Sequence, residues 1–289
     1  MKEKEKEKEK GKEKGKGKDQ EKVKAIVVGA AGKMGGRIIH IINETPSIEL
    51  SQAIERPDHP AIGRDIGEII GLGKMGIPLE KDVKKERGAV IINFSSPQAS
   101  MESLEFAKEN GLAAVIGTTG FSPAQIERLR DLSKSMRCVF SPNMSMGVNV
   151  MFRIVQEVAQ VLGPEYDIEI LEAHHRLKKD SPSGTAVKLG ELIANAIGRN
   201  FSQVGVYGRK GLVGERTQEE IGMQVIQAGD IVGEHTVLFG GIGERLEIIH
   251  RAHSRDNFAR GAVRAALWIV NQPNGLYDMQ DVLGLKKLG

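Results

Sequence analysis

From Val23 onward the chain alternates short apolar runs with segments of helical period. VKAIVVG (23–29) is an apolar run ending on glycine, the pattern of a strand buried on both faces. Residues 29–44 then place Met34, Ile38, Ile41 and Ile42 at helical spacing. Further strands are predicted over 48–54, 89–94, 113–117 and 138–140, with helices over 97–110 and about 122–135. Residues 57–87 are rich in glycine and show no period that assigns them. Strands alternating with helices of about a dozen residues form βαβ units, and so a twisted parallel sheet.

The pattern changes after about residue 146. A helix over 148–162 leads to a strand over 166–174, a polar loop and a helix over 183–197. Three strands follow over 222–228, 231–239 and 244–252, with Ala228-Gly229-Asp230 as a tight hairpin connection. Strands in succession without helices between them predict a mainly antiparallel sheet, and so a smaller α+β domain. A last helix over 258–270 places Phe258, Ala262, Ala266 and Ile269 on one face. The expected organisation is a charged tail (1–22), a dinucleotide-binding domain (23–145), a substrate-binding and oligomerisation domain (146–254), and a C-terminal helix and tail (255–289) returning to the first domain.

Charge alters this picture only at the N-terminus. The 289 residues carry 41 Lys and Arg against 38 Asp and Glu, with a pI near 8.8. Residues 1–22 hold ten Lys against six Glu and one Asp, which leaves 31 of each sign in the remainder. The body is neutral, so the basic pI is no argument for a nucleic-acid or membrane partner. The tail is low-complexity, lacks apolar residues after Met1, and is expected to be disordered. Aromatic residues make up only 4%, which disfavours a base-stacking surface. No apolar run reaches the roughly 18 residues of a membrane span, and the N-terminus has no secretory h-region. The lone Cys138 fits a reducing cytoplasm, and its place inside an apolar strand argues against a nucleophile.

Two segments carry candidate chemistry. Gly29, Ala30, Ala31, Gly32, Lys33, Met34 and Gly35 lie between the first strand and first helix, where a bare backbone and a helix N-terminus can receive a pyrophosphate. The spacing is GxxGxxG, a variant of the usual dinucleotide fingerprint. Glu55, 20 positions past Gly35, can accept hydrogen bonds from adenosine ribose hydroxyls, and the adjacent Arg56 can pair with a 2′-phosphate. The pair predicts use of either NADH or NADPH, on a Rossmann-type sheet. Gly117, Thr118, Thr119 and Gly120, and Ser141, Pro142, Asn143 and Met144, follow later strands and would line the same crevice.

The second segment, EAHHRLKKDSPSGTA (172–186), sets His174, His175, Arg176, Lys178 and Lys179 just after a strand. A helix start at Ser183, Gly184 and Thr185 stands behind them. Converging cations and helix N–H groups suit a small dicarboxylate, and a His or Lys there can transfer a proton. Ser183 can also serve as an N-cap. The His pair lacks further ligands at zinc-like spacing, so no metal is expected. His235, His250 and His253 are expected to be structural.

With these motifs in hand, the chain resembles the 4-hydroxy-tetrahydrodipicolinate reductase (dihydrodipicolinate reductase) family across residues 23–289. VVGAAGKMG (27–35), Glu55-Arg56, VIGTTGF (115–121), SPNMSMGVNV (141–150), AGDIVGEHTV (228–237) and ERLEIIHRAHSR (244–255) carry the likeness, and the 172–186 segment is its most specific element. The resemblance implies NAD(P)H-dependent reduction in lysine and diaminopimelate biosynthesis, by a cytoplasmic homotetramer assembled through the second sheet. It implies His174 as proton donor or acceptor and Lys178 as proton donor. His175, with Gly184 and Thr185, would hold the substrate carboxylates. Gly29, Ala30, Ala31, Gly32, Lys33, Met34, Glu55, Arg56, Gly117, Thr118, Thr119, Ser141, Pro142, Asn143 and Met144 would contact the cofactor. Ser181 stands where the family usually has Ala, and Lys179 doubles a cationic position. Two alternatives are another two-domain NAD(P) oxidoreductase acting on a small anion and a non-catalytic nucleotide sensor. The sensor would have no need of His174 and Lys178 together.

Overall fold

A computed structural model describes residues 21–163 and 165–287. The charged tail therefore lies outside the described residues except for Glu21 and Lys22. The first half of the chain runs β1 (Val23–Val28), α1 (Lys33–Glu44), β2 (Ile48–Ile54), α2 (Ile66–Ile70), β3 (Leu79–Glu80), β4 (Val90–Asn93), α3 (Pro97–Asn110), β5 (Ala113–Ile116), α4 (Pro123–Ser133) and β6 (Arg137–Phe140). The second half continues α5 (Met146–Leu162), β7 (Asp167–His174), α6 (Gly184–Ala196), α7 (Phe201–Val204), β8 (Gly205–Tyr207), β9 (Ile221–Gln227), β10 (Gly233–Gly240), β11 (Arg245–Ala252), α8 (Asp256–Ile269), β12 (Gly275–Tyr277) and α9 (Met279–Val282).

Seven strands form the first sheet in the order β12-β6-β5-β4-β1-β2-β3, all parallel. Chain order reverses between β1 and β4, so their carboxyl ends splay apart into the crevice where α/β sheets bind ligands. Both faces are covered. Ile38, Ile41 and Ile42 of α1 pack with Ala262, Ala266 and Ile269 of α8 on one side, and Leu104 and Leu129 of α3 and α4 lie on the other. The buried stripe of α8 is wider than the face predicted for it. Ala259, Val263 and Ala265 are also buried while Phe258 is half-buried, because small residues let this helix press against both sheet and α1.

The second sheet has the order β11-β10-β7-β9-β8. Its antiparallel ladders, β11–β10–β7, carry most of the paired positions, and β7–β9–β8 is parallel. The tight hairpin expected at 228–230 does not form. β7 lies between β9 and β10, so the connection crosses over the end of β7, with Ala228 N–H bonded to His174 O (2.9 Å) and Arg176 N–H to Gly229 O (3.1 Å). Residues 57–87 hold only α2 and the two-residue β3. Asp65 organises them through its carboxylate, which accepts the N–H groups of Gly67, Glu68, Met75 and Gly76. Among the described residues, no helix is long and apolar enough to cross a membrane.

Candidate active site

The loop after β1 is shaped by glycine. Gly29 has φ +79°, and a Cβ there would sit 2.8 Å from the Phe94 carbonyl oxygen. A Cβ on Gly35 would overlap the Gly29 carbonyl, so α1 can approach the loop this closely only without a side chain. Gly32 starts α1 without a side-chain cap, which leaves the first-turn N–H groups to whatever occupies the adjoining cleft. That cleft, about 710 Å³, is lined by Gly29, Gly32, Glu55, Arg56, Lys81 and Ser95, among others. No side chain larger than a methyl projects from residues 29–32, so the cleft wall fits a dinucleotide phosphate.

Glu55 bridges β2 and this loop, accepting from Ala31 N–H (3.2 Å) and Arg56 N–H (3.1 Å). Arg56 is exposed beside Asp58 (3.3 Å), a pair too solvated to hold it in place. The side chains of Ala30 and Met144 are buried in the hydrophobic core. Thr118 is also buried. Its hydroxyl accepts from Ser95 N–H (3.1 Å) and Ser100 Oγ (2.8 Å), which fixes the loop after β5 while Thr119 stays exposed. Ser141 Oγ donates to Asn143 O (2.8 Å), and Asn143 Nδ2 donates across to Thr185 Oγ1 (3.0 Å). The loop of the parallel sheet is thereby tied to the start of α6.

On the other side of that bond lies the 172–186 segment. Ser183 caps α6 by accepting from Ala186 N–H (3.2 Å), and its own N–H donates to Glu172 Oε1 (2.7 Å). Lys178 N–H closes a turn onto His175 O (3.1 Å), and its ammonium holds Asp180 (2.7 Å), whose carboxyl is drawn below its ordinary range by that hydrogen bond. His174 is half-buried at the end of β7, and burial pushes its pKa below the usual value against the pull of Glu172. A second cleft, about 740 Å³, runs between the two sheets and is lined by Lys33 and Arg37 on one side and His175, Arg176, Asp230 and Arg255 on the other. Arg37 is engaged by Asp256 in a two-pronged pair at 2.6 Å.

Against this geometry, two family models match in series. "Dihydrodipicolinate reductase, N-terminus" covers residues 23–144 and "Dihydrodipicolinate reductase, C-terminus" covers 147–283. The chain belongs to the dihydrodipicolinate reductase family. A 4-hydroxy-tetrahydrodipicolinate reductase of Syntrophus aciditrophicus is 57% identical over 266 residues, covering 91% of this chain and 99% of the relative. That of Syntrophobacter fumaroxidans is 55% identical over 266 residues, covering 91% and 100%. The fold matches a dipicolinate-bound dihydrodipicolinate reductase from Paenisporosarcina sp. TG-14 with a TM-score of 0.70 at 22% identity, over 90% of this chain and 98% of that one.

Two histidines outside the 172–186 segment lie close to it. His235 and His250, expected to be structural, lie in register with Glu172 across β7, β10 and β11. His235 Nε2 is 3.6 Å from Glu172 Oε2, and His250 Nε2 is 3.4 Å from Ser145 Oγ. Nitrogen and oxygen atoms of Glu172, His174 and His235 fall within 4.8 Å of one another, a cluster that sequence spacing did not reveal. Only the strand register brings Glu172 and His235 together, so the signal lay in pairing β7 with β10. Cys138 is fully buried and its thiol is pushed up to about 12, which suits an inert core residue.

Proposed function

We propose that this chain reduces 4-hydroxy-tetrahydrodipicolinate to tetrahydrodipicolinate, with loss of water, using NADH or NADPH, in lysine and diaminopimelate biosynthesis. The observation that carries this reading is the Asn143–Thr185 hydrogen bond, which joins the crevice of the parallel sheet to the histidine–lysine element of the second. Family membership and the relatives' activity support it. When bound, the cofactor supplies a hydride for ring C4, and the ring then requires a proton at C3.

The chain's own residues supply the rest. Gly29, Gly32, Lys33 and Met34 offer backbone and a helix N-terminus to the pyrophosphate, and Glu55 faces the ribose. Arg56 is free to swing onto a 2′-phosphate, which supports use of both cofactors. Gly117, Thr119, Ser141, Pro142 and Asn143 wall the nicotinamide end. His175 and the N–H groups of Gly184 and Thr185 hold the carboxylates, with Lys33, Arg176 and Arg255 making the cleft positive. His174 and Lys178 transfer the proton. Hydride transfer with these proton donors needs no metal. The face of the second sheet away from α5 and α6 carries exposed Ile226 and Ile249 and half-buried Leu171 and Leu238, which supports a homotetramer.

The test supplies the aldol-condensation product of pyruvate and aspartate semialdehyde and follows NADH and NADPH absorbance in parallel, with light scattering on the same preparation. Oxidation of both is expected. Lys178→Ala should lower turnover by about 10²–10⁴-fold with cofactor affinity nearly intact. No oxidation of either cofactor, or near-normal turnover in that variant, would sink the assignment.

A further inference from the structure

The helix-facing side of the second sheet is apolar along most of its length and turns polar at one end. Cross-strand rows run Ile168–Phe239–Leu246, then Ile170–Val237–Ile248, then Glu172–His235–His250. The third row opens onto His174, two residues beyond Glu172 on the same face of β7. The Glu172 side chain has no solvent exposure. One oxygen is satisfied by Ser183 N–H at 2.7 Å. The other, Oε2, has no hydrogen-bond partner and sits 3.5 Å from His174 Nδ1 and 3.6 Å from His235 Nε2. His174 Nδ1 is itself buried without a partner.

A buried carboxylate is costly unless N–H donors or positive charge meet it. Here the two imidazoles are what faces its open oxygen. Separations of 3.5–3.6 Å are a few tenths beyond a hydrogen bond, and such contacts commonly tighten when substrate closes the site. At the start of β10, two residues before His235, a Cβ on Gly233 would come within 3.2 Å of His174 Nε2, so glycine keeps that edge of the ring clear. His174 therefore turns Nδ1 toward Glu172 and leaves Nε2 clear of β10.

We propose that Glu172 is a positioning residue for His174, holding its Nδ1 protonated so that the proton exchanged with substrate is carried on Nε2, while His235 Nε2, 3.3 Å from Ser183 Oγ, faces the same carboxylate. This rests on His174 being a proton-transfer group. Glu172 fits the role: burial raises its pKa, but His235, Ser183 and the charge of His174 outweigh that and hold it below its ordinary range. The charged and titratable groups around His174 are Glu172, His235, His175 and Lys178, the last paired with Asp180, and His250 lies one strand further out.

The test compares Glu172→Gln, Glu172→Asp and His174→Ala by kinetics over pH. Wild type and Glu172→Gln are also compared by ¹⁵N NMR of selectively histidine-labelled protein. In Glu172→Gln the amide oxygen can keep Ser183 N–H while the NH₂ replaces Oε2 and donates to Nδ1, forcing the other tautomer. Turnover should fall about 100-fold with cofactor KM within about twofold. If the imidazolium delivers the proton, activity is present below its pKa and lost as pH rises through it. Losing the carboxylate lowers that pKa, so the alkaline limb of kcat/KM should move about one pH unit lower. Glu172→Asp should recover part of the turnover, and wild-type His174 should show Nδ1–H with an unprotonated Nε2 above its pKa. A wild-type Nε2–H signature, or a Glu172→Gln enzyme with an unmoved pH profile, overturns the proposal even if turnover falls. If His174→Ala keeps near-normal turnover, the proton-transfer assignment itself fails. If it is inactive while Glu172→Gln is unaffected, only the positioning role fails.

Discussion

The loop after β1 and the Glu172–His235–His250 row belong to different sheets and are built from different materials. The loop presents backbone: Gly29, Ala30, Ala31 and Gly32 spend their own N–H groups on Ile54 O, Glu55 and Gly29 O, so the cleft meets bare space and the uncapped first turn of α1, and the loop's shape depends on side chains that are not there. The row presents side chains on a rigid ladder, where each group is placed by the strand beside it. A backbone site tolerates changes of chemistry around it but no added volume. A side-chain site tolerates modest volume and depends on the identity of single atoms, such as Glu172 Oε2.

One methyl group placed in each region tests that contrast most severely. Gly35→Ala drives a Cβ into the Gly29 carbonyl and to 2.7 Å from Ala30 Cα. Both obstacles are backbone, so α1 must withdraw from the loop, at a cost of about 1–3 kcal/mol or more. The expected outcome is a lowered melting temperature and loss of NADH binding by calorimetry or fluorescence. Gly184→Ala meets nothing within 4 Å and has no positive φ, so its melting temperature should match wild type. If Gly35→Ala binds NADH normally, the loop is not held by close packing as described.

The same contrast explains what could be read from sequence. VKAIVV and VIIN are legible as parallel strands because burial on both faces leaves no polar alternation to confuse them. The glycine loop is legible because its requirement is local. α2 and β3 were illegible, since five- and two-residue elements have no period, and their order comes from the four backbone N–H groups that Asp65 accepts. The connection at 228–230 read as a hairpin because Gly-Asp is good turn chemistry, yet β7 takes the place between β9 and β10. The partnership of Glu172 with His235 was hidden for the same reason, since it depends on a ladder between strands far apart in the chain.

A smaller effect separates Arg56 from the backbone of the nucleotide cleft. Arg56→Ala should raise KM for NADPH about tenfold and leave that for NADH within about twofold, because the 2′-phosphate is the charged group that NADPH has and NADH lacks. The exposed Asp58 competes for the guanidinium, and the contribution of Arg56 to NADPH binding should weaken as salt rises. Equal changes for both cofactors would mean that Arg56 contacts what they share.

The smallest effect is expected from the largest charge. Residues 1–22 hold all of the formal +3, while the cations of the two candidate regions are few and local. The first sheet hydrogen bond after this segment is made by Val23 N–H to Ser47 O at 3.0 Å, so removing residues 1–22 breaks no ladder contact of β1. Lys24, which pairs with Glu86 at 2.9 Å, is retained. The truncated chain should keep kcat and both KM values within about twofold and lose only its basic pI, because neither cleft takes a lining residue from 21–22 and β1 keeps its pairing without them. A tenfold or greater loss of turnover on truncation would mean that the tail reaches one of the two clefts, and the division into a backbone site and a side-chain site would then need a third part.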